Sequence, residues 1–309
     1  MNNILITGVS GQDGRVLLDL LPRLFPDNRL IGLMRGQNPK FDYGDAIVLM
    51  SDYSFANILK VLDDYAITHV LHLAGLSSVS HSMKDPILAH RSIFELTKTV
   101  ATACMHAKLN VRLVVANSSE IFGQCPETGA TLETPMQPLS PYARSKASVR
   151  EYLLELSQKG TLDCGNLILF NHESKYRGDN FVVKKLLSSA SSMKKNGLNK
   201  LEMGNLSMRR DWGDAYKYMH AAILFLLFGK DEQILCSGYH ASIYELAKLI
   251  FEGYALNFDE VYIRSDLYYR NLDIEFSFGA PSNIADLQID VSIAPEELIK
   301  KLIRDMNKC

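Results

Sequence analysis

Paired cysteines, metal-ligand spacings, long apolar runs and a surplus of either charge are all missing from this sequence. Its five cysteines, Cys104, Cys125, Cys164, Cys236 and Cys309, form no CxxC pair, which removes the zinc-ribbon and thioredoxin-type motifs. Free thiols in a reducing, cytoplasmic compartment fit that spacing. The eight histidines make no HxxxH or HxH pair, so no metal centre is expected. No apolar run approaches the roughly 20 residues of a membrane span, and Ile4-Leu5-Ile6 lacks the length and basic flank of a signal peptide, so no membrane partner is expected. Lys and Arg number 33 against 35 Asp and Glu, a formal net charge of −2. That balance offers nothing to hold a polyphosphate backbone and argues against a nucleic-acid partner.

What is present is ordinary globular material: 309 residues, 47% hydrophobic, enough for one large domain or two modest ones. The first half alternates short apolar runs (3–7, 30–34, 46–50, 69–73, 111–116, 166–170) with segments of helical period (15–24, 55–65, 86–107, 141–159). Strands that are apolar throughout, separated by helices, predict a doubly wound, Rossmann-like parallel α/β sheet covered on both faces. After residue 170 the regularity fades. Helices are expected over 181–195, 216–228, 242–252 and 295–306, with a loop over 203–214 dense in Gly, Asn and Arg. The division expected is a dinucleotide-binding domain over 1–170 and a smaller, discontinuous α/β substrate lobe over 171–309, part of 213–240 returning to pack on the sheet.

The first strand runs into Gly8-Val9-Ser10-Gly11-Gln12-Asp13-Gly14 and a helix follows. Glycines at intervals of three let the backbone turn tightly, approach a pyrophosphate and pack helix on strand, while the helix N-terminus faces the negative charge. An NAD site usually has an acidic residue at the end of the second strand, and here that end reads Leu33-Met34-Arg35-Gly36. Arg35 there favours a ribose 2′-phosphate, hence NADP; a solvated surface arginine is the alternative. Asp52 suits the adenine amino group.

Asn117-Ser118-Ser119-Glu120 follows an apolar strand, and Tyr142-Ala143-Arg144-Ser145-Lys146 opens a helix. Residues four apart on a helix share a face, so Lys146 stands beside Tyr142, and a neighbouring ammonium is expected to lower the phenol's pKa toward that of a useful base. Glu120 is a second acid/base group two positions beyond the serine, placed to remove a proton α to a ketone. An exposed carboxylate at a strand end is the plainer reading of the same residue.

Together the dinucleotide loop, the strand ending in Ser118 and the Tyr142/Lys146 pair resemble the extended short-chain dehydrogenase/reductase superfamily. Further stretches narrow the resemblance: Asn171-His172-Glu173-Ser174, Arg177-Gly178, Phe181-Val182, Gly204-Asn205-Leu206 and Arg210-Asp211-Trp212-Gly213. With Ser140-Pro141-Tyr142, this succession is similar to GDP-mannose 4,6-dehydratases. The resemblance implies a tightly bound NADP that is reduced and reoxidised within one turnover and a GDP-sugar converted to its 4-keto-6-deoxy form. It implies Ser118, Glu120, Tyr142 and Lys146 as catalytic residues. Leu73, Ala74, His172 and Arg177 join the loop residues, Arg35 and Asp52 at the cofactor. Ser77, Asn171, Val182, Lys185, Gly204, Asn205, Arg210 and Arg270 fall at the substrate.

Several positions depart from the family. Serine stands at 118 where threonine is frequent, Lys175-Tyr176-Arg177 replaces a proline and two arginines, and the connection from Arg35 to Ala46 is short. The family uses that connection in tetramer contacts, so the expectation is a homodimer through the 86–107 and 141–159 helices, with a tetramer left open. A reductase or epimerase of a 4-keto-6-deoxy GDP-sugar is the nearest alternative activity. A non-catalytic dinucleotide-binding regulator is the alternative of a different class, and the full Ser118, Glu120, Tyr142, Lys146 set argues against it.

Overall fold

The computed structural model describes residues 2–36, 46–268, 274–280 and 289–307. Short apolar runs form β1 (Asn3–Thr7), β2 (Arg29–Met34), β3 (Ile47–Met50), β4 (His69–His72), β5 (Arg112–Ser118) and β6 (Cys164–Leu169). Between them lie α1 (Gln12–Leu24), α2 (Phe55–Asp64), α3 (Val79–Lys84), α4 (Pro86–His90), α5 (Leu96–His106) and α6 (Pro141–Gln158). Ser54, Ser78, Asp85 and Ser140 each accept a first-turn N–H, so α2, α3, α4 and α6 start where a capping side chain satisfies orphan donors.

The second half contributes β7 (His172–Glu173), α7 (Val182–Asn196), β8 (Leu201–Met203), β9 (Arg209–Asp211), β10 (Gly213–Asp214) and α8 (Ala215–Phe228). It continues with β11 (Glu232–Leu235), β12 (His240–Ser242), α9 (Ile243–Gly253), α10 (Phe258–Val261), β13 (Tyr262–Arg264), β14 (Phe276–Ser277) and α11 (Pro295–Met306).

Seven strands form one parallel sheet in the order β3-β2-β1-β4-β5-β6-β11. Alternate side chains of each strand feed opposite layers. Leu5, Val70 and Leu113 pack with Ile58, Val100 and Val149 from α2, α5 and α6. Ile4, Ile6, Leu71 and Val114 pack with Val16, Leu17, Ala222 and Leu226 from α1 and α8. The sheet is thus doubly wound, as the alternation of apolar runs predicts. Strand order reverses between β1 and β4, and such a switch point opens a crevice at the strands' carboxyl ends. A separate core of Leu186, Leu246, Ile250, Leu298 and Leu302 joins α7, α9 and α11.

Two expectations need correction. The 203–214 stretch is not one loop: β9 pairs antiparallel with β12 and parallel with β14, and β10 pairs with β7. Its polar residues gave no strand period because pairing with distant segments, not an apolar face, orders them. The 86–107 segment is helical throughout but contains a π-turn over Arg91–Glu95, a local widening that residue spacing does not reveal.

Helix α1 lies so close to β1's exit that a Cβ on Gly14 would fall 2.5 Å from the Val9 backbone. Gly14→Ala should therefore cost about 1–3 kcal/mol of stability through overpacking. Urea unfolding at neutral pH measures it, and a loss near zero would contradict the close packing.

Candidate active site

The first cluster surrounds the β1–α1 turn. Gly8 has φ +73, and a Cβ there would meet the Ala74 backbone at 2.8 Å, so glycine is required both for conformation and for space. Gly11 caps α1 without a side-chain hydrogen bond, so no capping side chain occupies this helix N-terminus, a kind of place that suits an anion. Ser10, Gln12 and Asp13 complete the turn. Among the described residues three buried side-chain polar atoms lack a partner, and two of them belong to residues beside this turn: Gln12 Oε1 and His72 Nε2. The glycine-lined cradle and these orphan atoms fit a dinucleotide.

Residues that no motif signalled hold the turn in place. Tyr53 adopts φ +60, and its hydroxyl donates to Leu33 O at 2.8 Å while accepting from Gly8 N at 2.9 Å. Thr7 Oγ1 accepts from Leu73 N at 3.2 Å and Ala74 N at 3.3 Å, so its own proton goes to His72 Nδ1 at 2.7 Å. Burial and the Lys146 charge push the His72 pKa down to about 3, so this imidazole is neutral with its proton on Nε2. Leu73 and Ala74 therefore flank the turn, whereas Ser77 is exposed in the loop beyond. Arg35 and Asp52 line one open depression with Gly36, Met50, Ser51 and Asn57, and the Arg35 guanidinium lies 5.4 Å from the Tyr53 ring centre. Asp52 Oδ1 accepts from Ser54 N and Asn57 Nδ2.

The second cluster joins the first from β7. His172 Nδ1–H donates to Phe170 O at 2.7 Å and Nε2–H to Asp13 Oδ1 at 3.0 Å, so both ring nitrogens carry protons. Burial alone would disfavour that cation, but Asp13 raises the His172 pKa overall. Burial likewise pushes the Asp13 carboxyl up, and the His172 and Arg177 charges more than reverse it, to about 2. Arg177 pairs with Glu173 at 2.9 Å. His172 and Arg177 thus meet the cofactor turn as members of a four-residue buried charge cluster.

The residues expected to be catalytic, Ser118, Glu120, Tyr142 and Lys146, sit at the end of β5 and the start of α6. Ser118 Oγ accepts Glu120 N at 3.3 Å, capping the 3-10 turn Ser119–Phe122, and lies close enough to the Tyr142 hydroxyl to favour its ionised form. Tyr142 N donates to Ser82 Oγ at 3.1 Å, which fixes the start of α6. Lys146 Nζ donates to Ala116 O at 2.6 Å. The expected acidification of the phenol does not occur in this state. Burial pushes the Tyr142 pKa up to about 12, opposed by Ser118 and Arg177, while burial pushes Lys146 down to about 8. Spacing on a helix reported proximity but not desolvation, which is the larger effect here.

In the lobe, Arg210 reaches the same region as Glu120, since both charges act on the buried Cys125 thiol. Asn171 O accepts Gly213 N at 2.7 Å, joining the lobe to the sheet beside His172. Lys185 Nζ donates to Glu202 O at 3.2 Å, and Asn205 Oδ1 accepts from Ser207 N and Oγ, both half-buried positions near Val182 and Gly204 that these bonds orient locally. Arg270 lies outside the described residues, as does most of the connection after Gly36. No group of three or more His, Cys, Asp or Glu that could hold a metal ion occurs among the described residues.

Residues 5–300 match the family model described as GDP-mannose 4,6 dehydratase. The chain is 28% identical to the GDP-mannose 4,6 dehydratase of Drosophila melanogaster, over 98% of this chain and 85% of that protein. Among solved structures it superposes with a TM-score of 0.87 on the Thermus thermophilus UDP-glucose 4-epimerase in complex with NAD, at 20% identity over 99% of both chains. The dTDP-glucose 4,6-dehydratase of Bacillus anthracis in complex with NAD gives a TM-score of 0.83 at 16% identity, over 100% of this chain and 97% of that one.

The depressed Lys146 pKa predicts a signed pH dependence. Between about 8 and the ordinary lysine value of 10.5 the unfolded chain keeps this proton and the folded chain has released it, so stability from this group rises with pH across that window. Cofactor-free wild type should gain stability relative to Lys146→Met as pH is raised from 8 to 10 in urea unfolding; a difference that stays flat would contradict the buried ammonium.

Proposed function

The chain belongs to the GDP-mannose 4,6-dehydratase family, and from that premise we propose that it is a GDP-sugar 4,6-dehydratase using NADP, acting on GDP-mannose or a related GDP-hexose. The observation that carries the reading is the convergence of Ser118, Tyr142 and Lys146 with Glu120 at the ends of β5 and α6. A nicotinamide bound beside them supplies the chemistry of taking a hydride from hexose C4 and returning it to C6. Tyr142 moves the proton of the 4-hydroxyl, with Ser118 beside it and Lys146 and Arg177 supplying positive charge nearby. A ketone at C4 acidifies the C5 proton; Glu120 removes it and passes it to the departing C6 hydroxyl, which leaves as water, and the proton taken from the 4-hydroxyl, exchanged with solvent, returns to C5 as C6 is reduced. The product is a 4-keto-6-deoxy sugar nucleotide, and no net reductant is consumed.

Arg210, Asn171 and Lys185 would face the diphosphate, with Asn205 and Val182 toward the base and Gly204 in the same wall. The crevice at the sheet's switch point supports a dinucleotide with its pyrophosphate on the Gly8–Gly14 turn, and Leu73 and Ala74 beneath it. Arg35, beside Asp52 in one depression, supports a 2′-phosphate. A homodimer through α4, α5 and α6 fits the outward-facing Ile87 and Leu88, 67% and 52% exposed. The free buried thiols Cys104, Cys125, Cys164 and Cys236 fit a reducing cytoplasm.

Purified protein should convert GDP-mannose to a 4-keto-6-deoxy product without added NADPH, with solvent deuterium appearing at C5 by NMR. Glu120→Gln should bind cofactor normally and lose elimination by at least about 100-fold. Stoichiometric NADPH consumption with a 4-keto substrate would overturn the dehydratase reading in favour of a reductase.

Arg35→Ala should weaken NADP by about tenfold or more, the loss of one charge-assisted phosphate contact, while leaving NAD affinity near its wild-type value. Fluorescence titration with both cofactors separates the outcomes, and equal losses for the two would remove Arg35 from the 2′-phosphate.

A further inference from the structure

Helix α6 carries Tyr142, Lys146 and Arg150 at intervals of four, one stripe along a single face. Each member of the stripe is tied to a different partner, and the ties form one buried chain. Asn117, 4% exposed, sits between Ala116 and Ser118 on β5. Its Oδ1 accepts Ser118 N at 2.8 Å, and its Nδ2 donates to the Lys146 carbonyl at 3.0 Å and to Asn166 Oδ1 at 2.9 Å. Asn166 Nδ2 donates to Glu232 Oε1 at 2.9 Å. Both Glu232 oxygens accept the Arg150 fork, at 2.8 and 2.9 Å, and Arg150 also donates to Leu132 O at 2.9 Å.

The chain crosses β5, β6 and β11 and returns to α6 one turn beyond Lys146. Three consecutive residues of β5 therefore govern the reacting groups. Ala116 holds the Lys146 ammonium, Asn117 holds the Lys146 backbone and the Ser118 N–H, and Ser118 contacts Tyr142. Two ties about 6 Å apart along a helix fix both its rotation and its sliding against the sheet. The Arg150–Glu232 pair is 9% and 10% exposed at its side chains, and a pair so buried adds little net stability because desolvation offsets its attraction. Fixing geometry is what such a pair does well.

We propose that Asn117 is a positioning residue for the reaction, and that the Asn166–Glu232–Arg150 chain braces it so that Ser118 on β5 and Tyr142 and Lys146 on α6 keep one register. Neither Asn117 nor the brace touches substrate. This rests on the dehydratase reading above, and a wild-type enzyme without dehydratase activity would sink that reading before any variant is compared.

The test uses wild type, Asn117→Asp and the double variant Arg150→Met/Glu232→Met, each as purified cofactor-loaded protein. Asn117→Asp keeps the shape and the bond to Ser118 N but turns the group facing the Lys146 carbonyl from donor to acceptor. It should lower kcat about 10- to 100-fold, the range that a misplacement near 1 Å can cause, while KM for the GDP-sugar stays within about twofold. The double variant replaces the ion pair by apolar side chains, which removes the pair's desolvation cost but leaves Asn166 Nδ2 and Leu132 O without these partners. Its thermal midpoint should therefore fall only modestly, while kcat falls at least about threefold at unchanged KM and at assay temperatures well below that midpoint. Should Asn117→Asp fail to fold, the double variant decides. Wild-type kcat in either folded variant overturns the proposal, and so does a loss of kcat that only tracks a fall in thermal midpoint.

Discussion

The buried cluster of Asp13, His172, Glu173 and Arg177 is the constraint on which the site depends. Asp13 belongs to the first turn of α1 and His172 to β7, 159 positions later, and their 3.0 Å contact closes the cofactor turn against the segment that leads into the lobe. Burial works against the charges of Asp13, His172 and Arg177, and pairing outweighs it, holding the Asp13 carboxyl down to about 2 and raising the His172 pKa. Because Arg177 is held by Glu173, its positive charge reaches Tyr142 from a fixed direction. One cluster thus sets the position of the Gly8–Gly14 turn, the start of the segment after β7 and part of the field at the phenol. The net charge of −2 explains none of this; four placed charges do.

What was legible in the sequence follows from which signals are local. Strands β1 to β6 announced themselves because each is built around a short apolar run, which all but the edge strand β3 bury in the sheet. The helix starts are fixed within four residues by the capping side chains of Ser54, Ser78, Asp85 and Ser140 and by Pro86 and Pro141 at the first turn, so they too are local. Strand β11 stayed hidden: Glu232 and Gln233 open it, and Glu232 is there for Arg150, a partner 82 positions away. β9 reads Arg209-Arg210-Asp211 and owes its extended form to β12 and β14.

The same distinction separates the site residues. The glycine turn, Ser118, Tyr142 and Lys146 were legible because chemistry and spacing coincide. Tyr53 was not, since a tyrosine at φ +60 whose hydroxyl braces Gly8 has no local signature. Nor was the acidity of Tyr142. Helical spacing places an ammonium nearby, whereas the depth of burial that sets the phenol near 12 and the ammonium near 8 is a property of the folded core.

Ser118 is where the two halves of the proposed chemistry meet. Its oxygen accepts the Glu120 N–H, which shapes the 3-10 turn carrying the carboxylate, and it lies beside the Tyr142 hydroxyl. Oxidation at C4 and proton removal at C5 need groups that address adjacent carbons of one ring without rearrangement between steps. A hydroxyl that touches the phenol and caps the turn of the carboxylate meets that demand with a single side chain. Asn117, one residue earlier, then ties that hydroxyl's backbone to Lys146. The register of five residues on β5 and its following turn, from 116 to 120, therefore holds both proton-transfer positions at a fixed separation, which a longer or looser connection between Ser118 and Glu120 could not do.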